Sequence, residues 1–355
     1  MNTKSSAKRM IHYDLLRVVA AFSVVMLHSS AQFWYTLDVS SAEWKIANFY
    51  DALFRFGVPI FVMISGALWL GDERELNLKK LYKHNILRLA VVYIVWSCLY
   101  GLLDLRDLGL DHIEWKTAAV TMLHRISGRY YLWFLPMIMG IYVLLPVLRS
   151  WVKSATKQNL QYFLCLFLFL QIMGETIIAL FPSEELQLIL SLTKIDMVCG
   201  YLGYFVLGYY IAFVGIPGKY HRLIYGGAIP AVFLNVALST FQSVRMGEPV
   251  EQIYDSYGLF TFLIVTALFL FFTEVMSAVK YGDGAAGFLR ELSSDMLGVY
   301  VMHEGLMELT VGYGLHSMTI PNIVGIPLYA LFCFIASCCL AAILRRIPFV
   351  GRYLC

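Results

Sequence analysis

Ten apolar windows of about 20 residues recur along this chain, near 11–34, 49–70, 87–105, 130–149, 160–181, 198–215, 223–243, 257–279, 292–313 and 323–344. A backbone crossing lipid must satisfy its N–H and C=O groups internally, which leaves only helices and closed barrels. Continuous apolarity rather than residue-by-residue alternation selects helices. The predicted fold is all-α: a polytopic membrane bundle of about ten transmembrane helices. With 59% hydrophobic and 14% charged residues in 355 positions, nothing remains for a sizeable soluble domain or a linker. Residues 1–355 therefore read as a single integral membrane domain.

Charge then orients the bundle. If the N-terminus is cytoplasmic, the loops at 71–88, 150–159, 216–222 and 280–291 and the C-terminal tail share its side. That side carries 18 of the 27 lysines and arginines, against seven on the other. Both termini are predicted cytoplasmic. Lys4, Lys8 and Arg9 precede an apolar run in the manner of a signal peptide, but Asp14 and Arg17 interrupt it and no small-x-small site follows, so the segment is expected to stay as a helix. The seven cysteines lie mostly within apolar runs without a C-x-x-C pair and read as small hydrophobes. A net charge of +3 reflects loop distribution and gives no reason to expect a nucleic-acid partner. The 106–129 segment is the longest outer loop, with room for a short interfacial helix.

Ionisable groups inside the windows carry the functional signal. An Arg at a helix centre costs roughly 2.5–3.5 kcal/mol on insertion scales, so such residues usually face protein or an aqueous cavity. Arg17 and His28 share the first window eleven positions apart. At about 100° and 1.5 Å per residue they fall on one helix face, roughly 16 Å apart along the axis. Arg17 then lies in the cytoplasmic leaflet and His28 past the midplane. Arg17 alone can snorkel and His28 alone can be a hydrogen-bonded core histidine. Their alignment behind Asp14, with His303 and Glu304 in the ninth window, favours function. Imidazole also suits general-base work near neutral pH.

Other segments have plainer readings. In Phe54 to Leu68, Ser65 and Gly66 suit close helix packing and Pro59 a kink. Lys79 to Arg88 is a basic stretch that fixes topology, or holds a polyanion by phosphate contacts. Tyr130, Tyr131 and Trp133 fit an interfacial aromatic belt. Gly282-Asp283-Gly284-Ala285-Ala286-Gly287 matches G-x-G-x-x-G in a short loop with no strand before it, so a dinucleotide reading fails. His303-Glu304 has Met307 where a zinc-protease motif needs a second His, and no metal site is expected.

Taken in order, several of these segments resemble the acyltransferase-3 family of integral membrane acyltransferases. They are Asp14-Leu15-Leu16-Arg17 with an R-x10-H spacing to His28, Phe61-Val62-Met63-Ile64-Ser65-Gly66, Leu132-Trp133-Phe134-Leu135 with Tyr142 to Pro146 after it, and Gly298-Val299-Tyr300 leading to His303. The resemblance implies an enzyme that moves an acyl group, commonly acetyl, from cytoplasmic acyl-CoA to a hydroxyl of a cell-surface or lipid-linked glycan. Compact members without a soluble domain look closest, including those acting on enterobacterial common antigen. It makes His28 the catalytic residue and Arg17 the donor-site residue. Asp14, Arg88, Trp133 and His303 join the substrate-binding candidates. Where the family often has Arg-x-Arg, this chain has Ile86-Leu87-Arg88, so only Arg88 carries over.

The expected partners are acyl-CoA, a glycan acceptor and membrane lipid, with acetyl-CoA as a substrate and no tightly bound cofactor. The expected location is the cell membrane, most naturally a bacterial plasma membrane. Two alternatives stand beside this reading. One is a transporter of a small anion or lipid-linked sugar, for which no internal repeat speaks. The other is a non-catalytic membrane module of the same fold. The acceptor loops near 36–48, 106–129 and 244–256 carry no sugar-binding signature, and oligomeric state is not legible.

Overall fold

The computed structural model describes residues 10–107, 116, 119–120, 130–194, 199–348 and 351. Its elements in chain order are α1 (Ile11–Ala31), α2 (Ala42–Phe54), α3 (Gly57–Leu70), α4 (Leu87–Asp107), α5 (Phe134–Ser154), α6 (Lys157–Leu166), α7 (Met173–Leu180) and α8 (Glu184–Thr193). They continue with α9 (Gly200–Tyr209), α10 (His221–Met246), α11 (Leu259–Glu274), α12 (Asp283–Ser294), α13 (Met296–Gly312) and α14 (Asn322–Arg346). Among the described residues there are no strands. The all-α membrane bundle is as the apolar windows predict. Eight windows become helical spans of at least 18 residues, long and apolar enough to cross a bilayer. The other two are shorter: Gly200–Val214, and the 17-residue α13.

Local chemistry refines several boundaries. The second span is two helices, α2 and α3, joined at Arg55 and Phe56, and it begins earlier than 49. Ser41 caps α2 by accepting from the Trp44 N–H at 3.0 Å. Pro59 does not make the kink. It is the third residue of α3, in a first turn whose N–H groups have no helical partner, so its missing donor costs nothing. Into α4 the chain passes through one helical turn, Leu78–Lys80, and a π-helical segment, Leu81–Ile86. The Gly282–Gly287 run is not a loop: most of it forms the start of α12, whose Ala286, Leu289 and Ser293 face inward while Arg290 and Glu291 face out. The interfacial helix expected near 106–129 lies outside the described residues.

Helix α1 is the hub, packing against α2, α3, α11, α12, α13 and α14. The closest approach is between α3 and α9. A methyl group on Gly66 would overlap the Phe205 carbonyl, and one on Gly208 would overlap the Met63 backbone. Two glycines on opposite helices thus let the backbones touch, the arrangement lipid favours because hydrophobicity alone does not drive helices together. Polar side chains bridge other pairs. The Asn48 amide donates to Ser239 Oγ at 2.9 Å and Thr240 Oγ1 at 3.0 Å, tying α2 to α10.

Loops assigned to one side by charge do meet at one end. Arg149, almost fully buried, donates to the Asp72 and Arg74 carbonyls, the latter at 2.6 Å. Hydrogen bonds from Arg74 hold the Asp72 carboxyl below the ordinary carboxylate range. Arg345 pairs with Asp295 at 3.0 Å, and His221 lies 3.2 Å from Glu274. At the opposite end Arg55 pairs with Glu251, the Tyr50 hydroxyl donates to the Ile323 carbonyl, and Asn322 donates to the Glu43 carbonyl. The helices therefore alternate in direction as the charge pattern requires.

The glycine contact gives a two-sided prediction. Gly66→Ala should lower the thermal midpoint of the detergent-solubilised protein, by an overpacking cost of about 1–3 kcal/mol. Gly140→Ala, with nothing within 4 Å of the added carbon, should leave it unchanged or slightly raised. Equal midpoints for the two variants would refute the close α3–α9 contact.

Candidate active site

Near the N-terminal end of α1, Asp14 has no solvent exposure. Its Oδ1 accepts from Arg17 Nη1 at 2.9 Å and from Ser293 Oγ at 2.9 Å. A buried carboxylate needs such partners. The result is an Arg17 side chain held in place one turn from the anchor, and α12 clamped onto α1. Arg17 lines a cavity of about 330 Å³ together with Arg88, Ser65, Ser293, Tyr142 and Tyr300. Two guanidinium-bearing residues, predicted from separate windows, share one cavity. Their planar forks suit phosphate oxygens.

His28 sits in the last turn of α1 and lines a second, larger cavity of about 830 Å³. Its Nδ1 lies 3.7 Å from Glu304 Oε2, and its ring centroid is 5.0 Å from that of His303. His303 is fully buried, with Nδ1 3.1 Å from the Val299 carbonyl. A carbonyl can only accept, so Nδ1 of His303 carries the hydrogen and Nε2 holds the lone pair. Tyr131 completes the cluster, edge-on to both imidazoles with centroids 6.4 Å away in each case.

The position of α13 is pinned from two sides. The Tyr100 hydroxyl donates to the Val301 carbonyl at 2.6 Å and accepts from the Gly305 N–H at 3.1 Å. A Cβ at Gly305 would come within 2.7 Å of the Tyr100 ring, so glycine is what allows this approach. The Tyr300 hydroxyl donates to the Tyr131 carbonyl. These bonds fix the register that presents His303 and Glu304 to His28.

An apolar layer lies between the cavities. Phe61, Phe134 and Tyr300 line the inner one, Val24 and Val58 the outer one, and all five pack in a single cluster. Phe134 stands 5.9 Å from Phe61 and 5.6 Å from Tyr300, centroid to centroid.

The residues singled out in the sequence thus divide in two. Asp14, Arg17 and Arg88 gather at the inner cavity, while His28, Trp133 and His303 gather at or beside the outer one. Sequence reasoning noticed Glu304 but did not pair it with His28, because 276 residues separate them. It also left Asp51, Arg55 and Glu251 out of the site, although all three line the outer cavity. Arg55 inside an apolar window is the signal that could have found them. His28, His303 and Glu304 further offer ligand atoms within 4.8 Å of one another, a two-histidine, one-carboxylate set able to hold a divalent transition metal. No spacing in the sequence indicates that convergence.

The fold is a membrane helix bundle with two arginines lining one cavity, an imidazole–carboxylate cluster at the other and one helix, α1, reaching both. Comparison with protein families agrees. The acyltransferase-3 family model, an acyltransferase domain, matches residues 11–346, and the chain belongs to that family. The protein is accordingly a multi-pass membrane acyltransferase. No curated protein and no solved structure gives a match.

If the three ligand atoms converge as described, micromolar Zn²⁺ should inhibit the enzyme reversibly by capping His28, and EDTA should restore activity. Full activity in the presence of zinc would contradict the cluster geometry.

Proposed function

We propose that the protein is an O-acyltransferase that carries an acetyl group from cytoplasmic acetyl-CoA to a hydroxyl of a cell-surface or lipid-linked glycan at the outer side of a bacterial plasma membrane. The observation that carries this reading is the placement of Arg17 and His28 on one continuous helix, each in its own cavity. The phosphates of the donor lie against Arg17 and Arg88. The pantetheine arm passes the Phe61–Phe134–Tyr300 layer, which parts around it, and delivers the thioester to His28.

His28 then acts as general base. Glu304 faces Nδ1, so abstraction of the acceptor's proton falls to Nε2, and the carboxylate offsets the charge that the imidazolium gains. The freed alkoxide attacks the thioester carbonyl and the C–S bond breaks. Coenzyme A leaves as a thiolate that takes the proton back from His28. His303, with its lone pair toward the cluster, positions His28 or the acceptor hydroxyl. The apolar layer keeps water from the thioester, which protects it against hydrolysis. Among compact members of the family, an acceptor such as enterobacterial common antigen fits this reading.

His28→Ala should reduce acetyl transfer by about 10²–10⁴-fold, the usual contribution of a general base. Glu304→Gln should lower kcat with little change in the KM for acetyl-CoA, whereas Arg17→Ala should mainly raise that KM. The assay is radiolabelled acetyl transfer to membrane glycans, with helical content checked by circular dichroism. Near-normal transfer by His28→Ala would sink the mechanism. Solute flux through proteoliposomes lacking any acyl donor would instead favour a transporter.

A further inference from the structure

The inner cavity takes part of its wall from the end of α12, where Ser293 and Ser294 stand, as well as from α1 and α4, which bring Arg17 and Arg88. The two serines use their hydroxyls differently. Ser294 Oγ donates to the Arg290 carbonyl at 2.8 Å, within its own helix. Ser293 Oγ reaches out of its helix and donates to Asp14 Oδ1 on α1 at 2.9 Å. A serine hydroxyl has one hydrogen, so Ser293 has none to offer a phosphate while that bond stands. Any effect of its proton on an anionic ligand in the cavity passes through Asp14.

Asp14 hands that effect to Arg17. The same Oδ1 accepts from Arg17 Nη1 at 2.9 Å, and the carboxylate has no solvent exposure, whereas Arg17 keeps 27% of its side chain accessible. Two donors divide one oxygen between them, each along its own lone-pair direction. Without the Ser293 hydroxyl, more of the buried negative charge falls to the guanidinium, which is drawn toward Asp14 and away from the cavity it lines. The bond also starts from a fixed support. Ala286 and Ser293, both nearly buried and two turns apart, lie on one face of α12. Arg345 of α14 pairs with Glu291 and Asp295, which flank Ser293 in sequence, and so braces the end of α12.

We propose that Ser293 is a positioning residue for the acyl donor: through Asp14 it sets the pose of Arg17 in the inner cavity, and with it the affinity for the phosphates of a coenzyme A thioester. This rests on the reading that lays the donor phosphates against Arg17. It adds a third segment of the chain, α12, to a donor site that otherwise draws on α1 and α4.

Isothermal titration of coenzyme A into the full chain in nanodiscs tests it. Ser293→Ala should weaken binding about tenfold, as loss of a hydrogen bond to a charged group does. In the acetyl-transfer assay the same variant should raise the KM for acetyl-CoA and leave kcat within about twofold. Ser293→Thr keeps the hydroxyl and should bind like the parent. Ser293→Cys, close in shape but a weaker donor, should fall between, which preserves the test if the alanine variant does not fold. In an Arg17→Ala background, Ser293→Ala should change the affinity by less than about twofold, because residues acting as one unit are not additive. A serine that only stabilised α12 would give the same loss in both backgrounds, and that result, or full affinity in the Ala and Cys variants, overturns this proposal alone. Should Arg17→Ala bind too weakly to titrate, affinities at position 293 that follow the thermal midpoints rather than donor strength overturn it equally. No coenzyme A binding by the parent, or binding indifferent to Arg17→Ala, overturns the donor reading and this inference with it.

Discussion

Asp14 has no water to turn to. Buried on α1 within the bundle, its carboxylate oxygen accepts hydrogen bonds from both Arg17 and Ser293. That constraint organises the inner half of the protein. It orients one arginine into a cavity and binds the surface helix α12 to the central one. The same rule operates at the other end of α1, where His28 is faced by Glu304 and His303. Ionisable groups on a helix in lipid tend to face protein partners, and here those partners line the two cavities or lie beside them.

The cavities themselves depend on close backbone packing elsewhere. Gly66 and Gly208 draw α3 and α9 together, and Gly305 admits the Tyr100 ring beside α13. Large aromatic side chains then fill the space between the cavities. The Phe61–Phe134–Tyr300 layer between them consists of side chains in mutual ring contact.

Much of this was legible in the residue order. The apolar windows named the class of fold, and the ionisable residues inside them named six of the positions that end up at or beside the cavities: Asp14, Arg17, His28, Arg88, His303 and Glu304. The parts that were not legible share one physical cause. Pro59 could be a kink or a helix start, and only the position of the preceding break decides it. Gly282 to Gly287 could be loop or helix, and burial of Ala286 against the bundle decides that. Glu304 was visible as an acid inside an apolar window, but its partner His28 lies on the first helix, 276 residues earlier in the chain.

Sequence alone determined that this chain is a helical membrane protein, which end carries the positive charge, and that Arg17 and His28 share a face of one helix. These follow from local quantities: window length, charge placement and the helical repeat. Tertiary structure alone decided that Arg17 meets Arg88, that His28 meets His303 and Glu304, and that Asp51, Arg55 and Glu251 stand together at the outer cavity. Those meetings depend on which helix packs against which and in what register. Register is set by glycines, tyrosine hydroxyls and buried ion pairs acting between segments hundreds of residues apart, a relation that no local pattern encodes.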